Sequence, residues 1–592
     1  MKMCGIAGEI RFRGEAASLE AVRTMTDVLA PRGPDGSGIV AHGRLAFGHR
    51  RLKIVDLSER GQQPMIDAQL GLGIVFNGMI YNYKPLRQEL QQLGYSFFSS
   101  ADTEVVLKAY HAWGSEFLQR LCGMFAFALW ERDSGRVMLV RDRLGIKPLY
   151  FAEIDGALRF ASSLPAIVAA GGVDTDIDSA ALQHYMTFHS VVPAPLTILK
   201  GVRKLSPATV MTVDASGTIT EKHYWELNVE STEDDNKRKP EEWEALLVDK
   251  LRTAVERRLV ADVPVGVLLS GGLDSSLVVS LLADLGQTDL KTFSIGFESV
   301  NDEAGDEFVY SDVIAKRFAT EHHKIHIDSD SALDYLPQCV RVMSEPMVSH
   351  DNIGFYLLSR EVSKHVKVVQ SGQGADEVFG GYHWYPPLLQ SKDAVSDYAR
   401  VFFDQDYQDY TRMVHPRFVE QDYSRNFVAE QFARSGAPNA VDKALRLDTT
   451  VMLADDPVKR VDNMTMAWGL EARVPFLDHE LVELAGRIPA PLKVGRGGKY
   501  ILKEVARRFV PAEVIDRPKG YFPVPALKYL RGPFLEFVKA VLNEPAARAR
   551  ALFQTDHLQR LQRDPQQHIT PLRGSRLWQV ALLELWLQTH RI

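Results

Sequence analysis

Cys4 stands in Met1-Lys2-Met3-Cys4-Gly5-Ile6-Ala7-Gly8, close to the start of the sequence. A cysteine that begins a chain carries both a thiol and a free α-amine, whose pKa of about 8 leaves much of it unprotonated at neutral pH. That amine can take the thiol proton directly or through a water, and a nucleophile activated by its own amino terminus suits attack on an amide carbonyl. Taken alone, an early cysteine reads more often as a small buried apolar residue. Met1, Lys2 and Met3 must also be lost; initiation at Met3 and removal of that methionine would expose Cys4. No apolar stretch precedes the cysteine, so a lipoprotein anchor is not expected.

A second chemical signal is Ser270-Gly271-Gly272-Leu273-Asp274-Ser275-Ser276. It lies between an apolar run, Val263-Pro264-Val265-Gly266-Val267-Leu268-Leu269, read as a strand, and a helical pattern that begins at Ser276. Glycines let a backbone approach a phosphate, and a helix amino terminus supplies N–H groups and the positive end of its dipole. The Gly-Lys-Ser/Thr ending of a Walker loop is missing, and an ordinary capped turn is the plain alternative. The loop resembles the pyrophosphate loop of enzymes that cleave ATP to AMP and pyrophosphate. A third signal, Ser371-Gly372-Gln373-Gly374-Ala375-Asp376-Glu377, also follows an expected strand. Ligands of open α/β sheets bind outside such strand ends. Asp274 and Asp376, each by itself an ordinary turn residue, could therefore converge on one Mg²⁺, which takes hard oxygen ligands and substrate phosphates.

The elements that must position these residues divide the chain. At 592 residues it is too long for one core. Residues 4–225 read mainly as short strands and turns with helices between, 226–245 as a charged linker, and 246–592 as alternating strands and helices that end in a helical region. The alternation implies a parallel sheet with helices on both faces. The composition, 45% hydrophobic and 24% charged, is that of an ordinary globular protein. A net charge of −7 argues against a general nucleic-acid surface. Three cysteines make neither a disulfide framework nor a thiolate metal cage. No run approaches a membrane span, and the cytoplasm is the expected compartment.

Over nearly its whole length the sequence resembles the glutamine-dependent asparagine synthetase family. The residues that carry the likeness are 4–8, Arg32-Gly33-Pro34-Asp35-Gly36, His49-Arg50-Arg51-Leu52, Asn77-Gly78-Met79-Ile80-Tyr81-Asn82, Asp102-Thr103-Glu104 and Arg141-Asp142-Arg143-Leu144-Gly145. The two loops above, Glu471-Ala472-Arg473-Val474-Pro475-Phe476-Leu477-Asp478 and Arg517-Pro518-Lys519 continue it. The resemblance implies an αββα glutaminase sandwich followed by an α/β ATP-pyrophosphatase domain. The implied reaction is ATP-dependent amidation of a small carboxylate through an acyl-adenylate, with ammonia released from glutamine.

By the same resemblance Cys4 attacks the glutamine amide, and Asn77 with the Gly78 N–H forms the oxyanion hole. Arg51 holds the glutamine α-carboxylate, and Asp102, beside Met79, its α-ammonium. Leu269, Ile295, Ser371 and Gly372 join Ser270, Gly271, Gly272, Asp274 and Ser275 around ATP, while Asp274 and Asp376 hold Mg²⁺. Lys519 neutralises phosphate charge. An enclosed passage between the sites would keep ammonia neutral, and a homodimer is an option.

Two residues depart from the asparagine-forming pattern. Gln373 replaces a Glu thought to act on ammonia or the acceptor, and a carboxamide accepts no proton at neutral pH. Met79 replaces another Glu, which leaves Asp102 as the main counter-charge for the glutamine ammonium. The contexts at 343–351 and 381–386 look more like the relatives that amidate N-acetylglutaminylglutamine than those that amidate aspartate. His322-His323 reads as a strand-edge pair, Cys122 and Cys339 as inert residues in apolar surroundings, and 234–242 as a solvated charge run.

Overall fold

The computed structural model describes residues 4–297, 306–517 and 530–592. Its first part is built on two six-stranded antiparallel sheets. One runs in the order Arg203–Lys204, Tyr150–Ile154, Ala157–Ala161, Gly5–Arg11, Leu45–Arg51, Gly36–His42. The other runs Ile219–His223, Thr209–Val213, Val137–Arg141, Gly123–Glu131, Leu72–Ile80, Met65–Asp67. Side chains of a strand alternate between faces, and the burial follows that period. Ile6, Ile10, Leu45 and Phe47 of the first sheet meet Val75, Ala126, Ala128 and Leu139 of the second in one shared core. On the far face of the first sheet, Ala7 and Ala46 pack with Val22 and Met25 of the helix Leu19–Val28. On the far face of the second, Phe76, Phe125 and Phe127 pack with Leu86 and Leu90 of Tyr83–Gln92 and with Val105 and Val106 of Asp102–Trp113. Helix, sheet, sheet and helix thus form four layers, as the αββα expectation required.

The second part holds a five-stranded sheet in the order Glu321–Ile327, Lys291–Phe297, Val265–Leu268, Val368–Gln370, Glu471–Arg473, parallel at every ladder. The chain builds outward from Val265–Leu268 on one side, then crosses to start the other side at Val368–Gln370. The crevice between those two strands is therefore the topological switch point where open α/β sheets bind ligands. His322 and His323 lie on the edge strand of this sheet, with His323 stacked on Phe293.

Two local expectations are corrected. The charge run 234–242 is not a solvated linker throughout. Asp235 is buried and ion-paired with Arg238 and Arg487, and the helix Pro240–Arg257 starts inside the run and buries Trp243 completely. Leu227 and Val229 are buried too, because this segment lies against the second part's helices. Cys339 is buried against Met464, as expected, but Cys122 lies in polar surroundings: its Sγ is close to His479 and Glu480. Glu480 is already paired with Lys250 and Arg257, so that group reads as an ion-pair cluster.

Candidate active sites

Cys4 directly precedes the first strand, and the register of that strand against Leu45–Arg51 brings Gly5 opposite Arg50. Arg51 and Cys4 consequently line one cleft with Leu52, Phe76, Gly78, Met79 and Asp102. The Cys4 Sγ lies 3.9 Å from the Leu52 carbonyl oxygen, and burial pushes the thiol up to about 11. Such a thiol stays protonated at neutral pH and needs a base to become a nucleophile. Arg51 is held by the carbonyls of Ser58, at 2.8 Å, and Asp56. These carbonyls fix the guanidinium without neutralising it, so its charge remains for a carboxylate ligand.

Asp102 opens its helix and accepts the Ile80 N–H at 3.0 Å; burial raises its carboxyl to about 6. Asn77 lies between the lining residues Phe76 and Gly78 on Leu72–Ile80 and is fully buried, yet neither atom of its carboxamide has a hydrogen-bond partner. Buried polar groups are normally paired. An unpaired carboxamide next to a nucleophile's cleft is suited to meet charge that appears only during reaction. Met79, buried and apolar, lines the same cleft.

The nucleotide-type loop lies at the switch-point crevice. Ser270 N–H donates to Ser275 Oγ at 3.2 Å and Gly272 N–H to Ser270 Oγ at 3.3 Å, which curls the chain into the helix Leu273–Asp284. Gly271 has φ +74°, and a Cβ there would come within 2.7 Å of the Ser311 nitrogen, so glycine is required. The second loop touches the first: a Cβ on Gly372 would lie 2.9 Å from both Asp274 Cβ and the Ser275 nitrogen. Ser371 N–H is tied to the Arg473 carbonyl at 2.9 Å. Leu269, directly after the strand Val265–Leu268, and Ile295, within the adjacent strand Lys291–Phe297, are both buried.

Asp274 and Asp376 do converge, and the cation between them is a side chain. Lys499 Nζ lies 2.7 Å from Asp274 Oδ2 and 2.9 Å from Asp376 Oδ1, and the two carboxylates hold the ammonium well above its ordinary pKa. Neither composition nor local pattern singled out Lys499; the available signal was the pair Gly497-Gly498 directly before it, which opens a turn into the helix Tyr500–Ala506. Arg517 is held by both oxygens of Glu307, at 2.7 and 2.9 Å, with Nη2 beside Gly272. Lys519 lies outside the described residues.

The two sites share a buried, charged boundary. Arg32 Nε lies 3.4 Å from the Cys4 carbonyl oxygen, and the same guanidinium pairs with Asp462 at 2.9 Å. Lys147 reaches Asp462 at 3.3 Å. Lys204 joins Glu345 at 3.0 Å and Asp455 at 2.5 Å, and Tyr150 OH donates to Glu345 at 3.1 Å. Glu471 crosses this boundary most directly. It belongs to the five-stranded sheet, yet it lines the cleft of Cys4.

Comparison with known proteins agrees with this division. Residues 3–225 match the glutamine amidotransferase domain family and residues 246–588 the asparagine synthase family. Asparagine synthetase [glutamine-hydrolyzing] 1 of Bacillus subtilis is 31% identical, over 99% of this chain and 96% of its own length. A putative glutamine-hydrolysing asparagine synthetase of Mycobacterium bovis is 34% identical, over 92% and 91%. Among solved structures, glutamine phosphoribosylpyrophosphate amidotransferase of Bacillus subtilis aligns with a TM-score of 0.30 at 15% identity, over 54% of this chain and 65% of that one. No described helix is long and apolar enough to cross a membrane. With an amidotransferase half and a synthase half in one chain, this protein belongs to the family of glutamine-hydrolysing asparagine synthetases, enzymes of the ligase type.

Proposed function

We propose that Cys4 attacks the side-chain amide of glutamine and that the ammonia released amidates an acceptor carboxylate activated by ATP at the second site. The observation that carries the first half is the unpaired, buried Asn77 carboxamide beside a cleft that holds Cys4, Arg51 and Asp102. Because burial keeps the thiol protonated, the proton must pass to a base, and the α-amine of a chain that begins at Cys4 is that base. Arg51 takes the glutamine α-carboxylate and Asp102 its α-ammonium. Charge then develops on the amide oxygen, where Asn77 and the Gly78 N–H receive it.

At the second site the loop 270–276 and the Leu273–Asp284 amino terminus receive the phosphates, with Lys499 and Arg517 as cations near them. Asp274 and Asp376 fit a Mg²⁺ ion, since the two carboxylates already face one positive charge at hydrogen-bonding distance. When bound, that ion would neutralise phosphate charge and orient the phosphates. The Lys499 ammonium would then move from the aspartates to the phosphates. Lys519 is a further cation proposed for the same role.

The acceptor we propose is N-acetylglutaminylglutamine. Free aspartate carries an α-ammonium that calls for a carboxylate, whereas an acetylated dipeptide carries none, and Gln373 supplies a neutral amide on the loop of Asp376. Aspartate is the competing reading, favoured by the names of the relatives. Pyrophosphate release with Mg-ATP and glutamine, compared for the two acceptors by kcat/KM, decides between them. A higher value for the dipeptide is expected, and an equal or higher value for aspartate would replace it.

A further inference from the structure

Among the described residues that line the cleft of Cys4, only Asp102 and Glu471 carry carboxylates and only Arg51 carries a guanidinium. A glutamine bound there brings one carboxylate and one ammonium. The ammonium has three N–H donors, and burial demands a partner for each. Asp102 cannot serve all three, because its oxygens also accept the Ile80 and Thr103 backbone N–H groups. Met79, on the strand that forms the same wall, offers no acceptor.

We propose that Glu471, contributed by the second domain, is the second carboxylate that receives the glutamine α-ammonium. This inference rests on the glutamine reading of the Cys4 cleft. Glu471 is buried and fixed: its Oε1 accepts Arg473 Nε at 2.5 Å, and Arg473 is itself anchored on the Arg258 and Val260 carbonyls at 2.9 and 2.8 Å. A carboxylate so placed costs little further ordering when the ligand arrives. Its charge is felt across the cleft, since it helps to hold the protons on both Cys4 and Asp102. Arg473 balances one of the two carboxylates that face the cleft, and an arriving ammonium supplies the second positive charge, which a deaminated ligand lacks. Glu471 thereby selects for the amino acid over its deaminated analogue.

The test compares glutamine with glutaramate, the same chain without the α-ammonium, as substrates for hydrolysis by the full-length enzyme. Four forms are needed: wild type, Glu471→Gln, Met79→Glu and the double variant. Glutamine keeps an acceptor for Arg473, so the domain boundary retains that hydrogen bond. Loss of one charge-assisted contact is expected to lower the glutamine-to-glutaramate ratio of kcat/KM about tenfold or more in Glu471→Gln, mainly through KM. Met79→Glu, which returns a carboxylate to the same cleft, is expected to restore much of that preference in the double variant. An unchanged ratio in Glu471→Gln overturns the proposal, as does an equal loss on both substrates, which would mark a merely structural residue. If Cys4→Ala still hydrolysed glutamine, the cleft reading itself would fall, a result separate from either of these.

Discussion

Lys499 places its ammonium 2.7 Å from Asp274, on the first turn of the helix that follows the phosphate-type loop. The same nitrogen reaches Asp376 on the neighbouring loop at 2.9 Å. A buried ammonium held by two carboxylates ties both loops together, and it lies next to the proposed phosphate site. Removing a preorganised charge of this kind typically costs about 10²–10³ in rate. Lys499→Met is therefore expected to reduce acceptor-dependent pyrophosphate release by about that factor. Glutamine hydrolysis at Cys4 should fall far less. Parallel pyrophosphate and glutamate assays on one preparation check this.

In its proposed role Asn77 meets charge only in the transition state, so its removal should appear in kcat. Asn77→Ala is expected to lower kcat for glutamine hydrolysis by about 10²–10³ with a small change in KM. Ammonia-driven synthesis provides the folded-state control. A loss confined to KM would assign Asn77 to ground-state binding.

The proposed glutamine cleft also carries a pH limit. Burial raises Asp102 to about 6, and only its ionised form can pair with an ammonium. As pH falls through about 6 the carboxyl takes a proton, so kcat/KM for glutamine should fall tenfold for each further unit. Asp102→Asn should remove the component near pH 6, leave the fall set by the α-amine, and lower the plateau. A pH profile of kcat/KM between pH 5 and about 8 reads both effects.

Asp462 neutralises two cations of the first domain, Arg32 at 2.9 Å and Lys147 at 3.3 Å, and all three side chains are buried. Breaking a buried pair by deleting one partner leaves uncompensated charge and costs about 3–5 kcal/mol. Asp462→Ala should lower the thermal midpoint accordingly. It should also raise the glutamate formed per amide product, because Arg32 links this pair to the Cys4 carbonyl. Thermal denaturation together with the product ratio checks the two halves of the expectation.

The parts of the protein that were legible in the sequence are those coded locally. The loops at 270–276 and 371–377 announce themselves by glycines and short polar residues next to apolar strands. The apolar run 263–269, read as a strand, contains the strand Val265–Leu268. Cys4 was legible through its place near the start of the sequence together with the resembling motifs that follow it.

What escaped was coded at a distance. Lys499 lies 225 residues from Asp274 in sequence and carries no local sign of its partner. Glu471 was visible as part of a resembling segment, but its entry into the cleft of Cys4 depends on how two separately folded sheets meet. The burial of Asp235 and Trp243 was hidden for a related reason. Charged neighbours dominate the composition of that segment, while the apolar contacts that bury it come from the second part.

The short strand Glu471–Arg473 has a consequence for ancestry and engineering. Its first residue completes a wall of the glutamine cleft, and its last binds Ser371 at the nucleotide crevice. With Glu471 as the proposed receiver of the glutamine ammonium, a glutaminase half that carries Met at position 79 depends on the synthase half for its second acid. Chimeras joined at the natural boundary should therefore keep their preference for glutamine only where the synthase half supplies Glu at position 471.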